Sequence, residues 1–143
     1  MDGEIAIRVA TAADAIELAR LNAAFNGGEE VPSALAERLK DPAHTETALL
    51  AEIAGRAVGF AGLRISPGLF YAEPRAELTE LYVAPECRRR GVGHALTARA
   101  EELARAAGAT ELFVLTGFDN HEAQALYRKL GFLADELALR KVL

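Results

Sequence analysis

The sequence contains no tryptophan, one methionine and a single cysteine, Cys87. One thiol excludes an internal disulfide framework and is compatible with a reducing cytoplasm, which is the expected location. The three histidines, His44, His94 and His121, have neither metal-ligand spacing nor cysteine partners, so no metal site is expected. No apolar run is long enough to span a bilayer, and the opening Met1-Asp-Gly-Glu lacks the basic-then-apolar order of a signal peptide. Cations are the minority charge: 16 Lys and Arg face 21 Asp and Glu, a net charge of −5. General nucleic-acid binding needs many cations facing phosphates, so neither nucleic acid nor membrane is an expected partner. Repeats, low-complexity tracts and linkers are also missing.

What is present is 143 residues, 51% of them apolar, which suits one compact domain over residues 1–143. Residues 4–9 alternate loosely as a strand. Thr11 and Asp14 fit a helix N-cap with an acid in the first turn, followed by an apolar stripe of Leu18, Leu21 and Phe25, and Asn26-Gly27-Gly28 stops the helix. A short helix is expected over 33–40, then two strands over 46–53 and 56–65 joined as a hairpin near Gly55. A loop over 66–74 leads to a strand over 76–83. Val92, Leu96, Ala100, Leu103 and Ala107 form one helical face closed by Gly108, and 112–115 is a short apolar strand. Ala123, Leu126, Tyr127 and Leu130 form the inner face of a last helix that Gly131 stops, and residues 132–143 are expected to return as a final strand. Strand-helix-strand units near the end require parallel pairing, and the hairpin requires antiparallel pairing. The fold class is therefore α/β (or α+β): a central mixed sheet with helices on both faces.

Arg88, Arg89 and Arg90 are the only tight basic run, and Gly91 and Gly93 follow at once. They stand between a strand ending at Val83 and a long helix. Glycines let a backbone approach a ligand closely, and the free N–H groups of a first helical turn point toward it. With the helix dipole and nearby arginines these make a pyrophosphate site. The Walker phosphate loop is excluded, because no Gly-Lys-Ser/Thr ends such a glycine pattern here. The dinucleotide fingerprint is disfavoured, because Leu96 stands where its third glycine is needed and seven residues separate Val83 from Gly91.

What fits is Arg88-x-x-Gly91-x-Gly93, and with it the chain resembles the GCN5-related N-acetyltransferase (GNAT) superfamily. A second block, Asn120-x-x-Ala123-x-x-Leu126-Tyr127-x-x-Leu130-Gly131-Phe132, and the opening Ile7-Arg8-x-Ala10-Thr11-x-x-Asp14 resemble the same superfamily over nearly the whole chain. The resemblance implies the GNAT fold and acetyl-coenzyme A as co-substrate, with no metal. It implies that the backbone of Leu81, Tyr82 and Val83 runs alongside the pantetheine arm. Arg88 opens the signature, and the amides of Arg89, Arg90, Gly91, Val92, Gly93 and His94 hold the pyrophosphate. Asn120 contacts the pantetheine, Ala123 leaves room for it, and Tyr127 stands near the thioester sulfur.

Chemistry gives these positions roles. The departing thiol has a pKa of about 8.5, so a positioned donor, Tyr127, helps it leave. A developing oxyanion needs a donor, for which the Val83 amide is the candidate where its strand splays from its neighbour. An alkylammonium must lose a proton before attack, and Glu80 is the expected base through water. Glu77 and Thr79 are the alternatives, since a bulge would change which face each occupies. Cys87 lacks a His-Asp arrangement and reads as structural, and His94 as an exposed neighbour of the phosphates. The expected acceptor is a cationic primary amine (a polyamine, an aminoglycoside-like antibiotic or a peptide amine), entering past the first helices and the 66–74 loop with its nearby acids Glu29, Glu30 and Glu73. Only 12 residues follow Gly131, where many superfamily members carry two strands, so the substrate side is expected either to stay open or to be completed by a second copy in a homodimer. The rival readings are a non-catalytic acyl-CoA-binding regulatory module and a nucleotide-binding domain.

Overall fold

The computed structural model describes residues 3–29 and 31–143; Met1, Asp2 and the acid Glu30 lie outside the described residues. The chain runs β1 (Ile5–Val9), a 3-10 turn (Ala12–Asp14), α1 (Ala15–Asn26), α2 (Pro32–Lys40), β2 (Glu46–Ile53), β3 (Arg56–Ser66) and β4 (Arg75–Val83). A second 3-10 turn (Pro85–Cys87) leads to α3 (Val92–Ala106), β5 (Leu112–Val114) and α4 (His121–Lys129).

The five strands lie in the order β1-β2-β3-β4-β5. The first four pair antiparallel with their sequence neighbours, and only β4 with β5 is parallel. The β2–β3 hairpin turns at Ala54 and Gly55, both at positive φ (52° and 76°), the handedness a two-residue connection requires. The entry to α1 is tied to the sheet electrostatically. The Thr11 N–H donates to Asp14 at 2.8 Å, and the Arg8 guanidinium grips the same carboxylate at 2.7 and 2.8 Å while donating to Glu52 at 2.7 Å. Arg8 and that backbone bond hold the Asp14 carboxyl down at about 2.

Each face of the sheet carries its own core, because successive side chains of a strand point to opposite sides. On one face Leu49, Ala51, Ile53, Leu63, Leu78 and Leu81 pack with Val92, Leu96 and Ala100 of α3, and Cys87 is buried among them. On the other, Leu50, Phe60 and Tyr82 meet Leu18 and Leu21 of α1, flanked by Leu35 and Leu39 of α2. Phe25 stacks on Tyr82 with ring centroids 5.2 Å apart.

Two expectations fail. Residues 132–143 form no strand. Phe132 tucks against the Tyr127 ring at 5.6 Å, and beyond it Leu133, Leu137, Leu139, Val142 and Leu143 are exposed. An apolar segment makes a strand only where a ladder supplies hydrogen-bond partners, and the edge strand β5 is just three residues long. Second, Leu126 does not face inward but is 40% exposed. Tyr127 of the last helix and its C-cap Leu130 pack against the core.

Candidate active site

The site is built around an irregularity in β4. Gly62 of β3 pairs with Glu80, but Leu63 pairs with Leu78, so Thr79 is an extra residue opposite no partner. Burial shows the same bulge. Leu78 and Leu81, three apart, both enter the α3-side core, which a regular strand forbids. Glu80 is consequently turned to the α1/α2 face, where Asn26 Nδ2 lies 3.4 Å from its Oε2. It lines a cavity of about 310 Å³ together with Leu18 and Asn22 of α1, His44, Glu46 and Phe60.

The alternatives to Glu80 are occupied. Glu77 is 3.7 Å from Arg64, and the Thr79 hydroxyl donates to Glu46. Glu46 also accepts from Arg64 at 3.2 Å. Nothing local in the sequence marks Glu46 or Asn26. The available signal was Gly62, a glycine inside an otherwise apolar strand, the usual sign of a bulge or close approach.

Beyond Leu78, β4 loses its partner on the β5 side: the parallel ladder comprises Ala76–Leu112, Glu77–Phe113 and Leu78–Val114. The two strands part there, leaving residues 79–83 with one open edge. Ala84 N–H bonds back to Val58 O at 2.8 Å, so alternation turns the Val83 and Leu81 backbone groups outward to that edge. The Val83 carbonyl is covered by Arg88, whose Nε donates to it at 3.0 Å, while the Val83 N–H has no acceptor among the described residues. Arg88 therefore braces the strand end instead of extending outward.

The glycine loop ends at Gly91, in the left-handed region (φ 86°, ψ 9°), and a Cβ there would meet nothing within 4 Å. The first α-helical bond of α3 is Ala95 N–H to Gly91 O at 2.9 Å, so the amides of Val92, Gly93 and His94 precede any intrahelical acceptor. Arg89 (φ 62°) is also left-handed, and its side chain and that of His94 are exposed, with Arg90 half-buried. This loop thus has the open backbone and free donors a pyrophosphate needs.

Asn120 caps α4, its Oδ1 accepting the Ala123 N–H at 3.1 Å, which leaves its Nδ2 donor unused among the described residues. The cap sets the helix so that Tyr127 comes down onto the core beside Phe132. Burial, and secondarily the negative charge of Glu80, raise the Tyr127 hydroxyl above its ordinary value of 10. The phenol stays protonated at neutral pH, as a donor must. Among the described residues no group of three or more His, Cys, Asp and Glu is arranged to hold a metal ion, and no helix is long and apolar enough to cross a membrane.

An open strand edge beside a bare helix N-terminus, on this mixed sheet, is the architecture of a coenzyme A-dependent acyltransferase. The chain belongs to the acetyltransferase (GNAT) family, whose model matches residues 14–132. It is 38% identical over 111 residues to the aminoglycoside N(6')-acetyltransferase type 1 of Klebsiella aerogenes, covering 73% of this chain and 71% of that protein. A mycothiol acetyltransferase of Clavibacter michiganensis subsp. michiganensis is 33% identical over 139 residues; these are 92% of this chain but 44% of that longer protein. The fold superposes on the aminoglycoside N-acetyltransferase AAC(6')-Iy, solved in complex with CoA, with a TM-score of 0.85 at 22% identity, covering 99% of this chain and 96% of that one. The protein is an N-acetyltransferase, and acetyl-CoA is its co-substrate.

Proposed function

We propose that this chain, as one domain over residues 1–143, moves an acetyl group from acetyl-CoA directly to a primary amine seated in the Glu80 cavity. The observation that carries this reading is the parting of β4 from β5 after Leu78, next to the unpaired amides that open α3. The pantetheine arm extends along Leu81, Tyr82 and Val83, and the amides of residues 89–94 take the pyrophosphate. Gly91 and Gly93 leave the backbone bare there. Asn120 Nδ2 reaches the pantetheine beside Ala123.

The reaction then balances through two protein groups. Glu80 accepts a proton from the alkylammonium through a water. The freed amine nitrogen attacks the thioester carbonyl carbon, and the Val83 N–H donates to the oxygen as negative charge grows there. The carbon–sulfur bond breaks, the Tyr127 hydroxyl gives its proton to the thiolate, the extra proton still on the amide nitrogen passes to the phenolate and restores Tyr127, and Glu80 returns its proton to water. No enzyme-bound acyl group is formed. Cys87, 1% exposed, takes no part.

A cationic acceptor is favoured by Glu80 and Glu46 in one cavity, and the similarity to an aminoglycoside acetyltransferase supports testing that class first. A homodimer and a cytoplasmic location belong to the same proposal: a second copy would cover Leu133, Leu137 and Leu139, and a reducing compartment keeps Cys87 a thiol. The test is release of free thiol from acetyl-CoA with a panel of sisomicin, spermidine, lysine and an alanine-initiated peptide. Amine-dependent release is expected from at least one. Tight acetyl-CoA binding without release from any of them would favour the non-catalytic module.

A further inference from the structure

Glu80 faces the acceptor cavity only because β4 contains one extra residue. In an unbroken register Leu78 and Glu80 would share a face, and the carboxylate would point into the apolar core under α3. Insertion of Thr79 reverses the alternation: Leu81 takes the core position, and Glu80 turns to the cavity. Residues on β2 and β3 hold the inserted residue in place. The Thr79 hydroxyl on β4 donates to Glu46 on β2, crossing over β3 between them. Gly62 lies beneath the crossing: a Cβ on it would overlap Thr79 Oγ1 and come within 2.8 Å of Glu46 Oε1. Arg64, two residues further along β3, holds the other oxygen of Glu46 at 3.2 Å.

We infer that Thr79 is a positioning residue, whose bond to Glu46 across Gly62 fixes the bulge and thereby aims Glu80 at the acceptor amine. This rests on the reading of Glu80 as the base. The clamp touches neither of the reacting atoms, and acts through the side on which Glu80 emerges.

The experiment is a double-mutant cycle on kcat and KM for the panel amine turned over fastest, with thermal melts of every variant. Thr79→Val keeps the shape and removes the hydroxyl. It is expected to lower kcat at least tenfold in the native background and less than twofold in Glu80→Gln, because an aim already without a base has nothing left to lose. Thr79→Ser keeps the donor and should retain at least a third of native kcat, and KM for acetyl-CoA should move less than threefold in both variants. Gly62→Ala, which obstructs the crossing while leaving all three side chains, should resemble Thr79→Val. If Glu80→Gln is impaired but Thr79→Val is native-like, or its loss simply multiplies with that of Glu80→Gln, the clamp is refuted and the base reading stands. If Glu80→Gln itself is native-like, the base reading fails and the clamp falls with it. Should Thr79→Val not fold, a Thr79→Ser kcat as low as that of Glu80→Gln in a folded protein overturns the proposal.

Discussion

Gly91→Asp tests binding separately from folding in the loop that opens α3. Gly91 is the N-cap of α3 with left-handed backbone, and a Cβ meets no atom within 4 Å. Nothing in the fold must move to admit a side chain. The left-handed conformation costs an L-residue about 1–2 kcal/mol, and Asp is among the residues that tolerate it best. An acid at a helix N-terminus returns about 0.3–1 kcal/mol. Stability should therefore fall by about 1 kcal/mol or less, a melting shift under about 4 °C for a chain of this size. Binding is affected differently. A carboxylate about 5 Å from a phosphate repels it by roughly 0.8 kcal/mol if the gap is as polar as water and by roughly 3 kcal/mol at an effective dielectric of about 20. The expected rise in the acetyl-CoA Kd is thus about 4-fold to 150-fold, since about 1.4 kcal/mol is one decade. Calorimetric titration measures it, with Gly91→Ala as the control carrying the same backbone strain without charge. The deficit of the Asp variant over Ala should shrink as salt is raised, because exposed charges are screened. A folded Gly91→Asp protein with native affinity at low salt would refute the placement of the pyrophosphate at this helix.

Tyr127→Phe should leave acetyl-CoA affinity nearly unchanged and lower kcat by roughly ten- to ten-thousand-fold, the range for a lost general acid. Because the native phenol titrates above 10, native turnover should not decline on the alkaline side below about that pH; an unchanged kcat in the Phe variant would leave thiolate protonation to water. Glu80→Gln should be most impaired near neutral pH and approach the native rate as pH rises toward the amine's pKa of about 10.4, where solvent supplies free amine. Paired pH–rate profiles decide it: a parallel deficit at every pH would make Glu80 a substrate anchor instead. Asp14→Asn should cost about 1–2 kcal/mol of stability, because Arg8 and the Thr11 N–H hold the carboxyl at about 2 against an ordinary 3.8, an effect partly screened on the exposed Arg8 side. A carboxyl lowered on folding contributes fully above its unfolded value of 3.8 and loses that contribution as pH falls through about 2, so urea melts of native and variant should converge toward pH 2.

The parts of this molecule legible in the sequence are those encoded within a few neighbouring residues. The apolar stripe from Val92 to Ala100 and the Ala54-Gly55 turn depend on local spacing, and both lie where expected. So does the Arg88-x-x-Gly91-x-Gly93 loop, since a strand end, glycines and a helix start are contiguous. Which way a residue faces in β4 is different in kind. It depends on where Leu63 and Gly62 pair with a strand about 16 residues away, and a one-residue slip exchanges every side chain between the two faces. The alternation of 76–83 could therefore leave Glu77, Thr79 and Glu80 all open as bases, while the geometry places only Glu80 beside the cavity without an arginine or hydroxyl bound to it. The C-terminal expectation failed for the same reason seen from the other side. Residues 132–143 carry enough apolar residues for a strand, but composition does not supply a partner, and β5 ends after Val114. That short β5 has a second consequence. Because its ladder stops at Leu78, the open edge of β4 begins at Thr79, so the bulge that turns Glu80 toward the cavity starts where the strand edge becomes free. Continued in the same register, a β5 extended from Leu115 to Asp119 would run opposite Thr79 to Val83 and close that edge. The brevity that leaves the tail without a ladder is thus the same feature that keeps the site open.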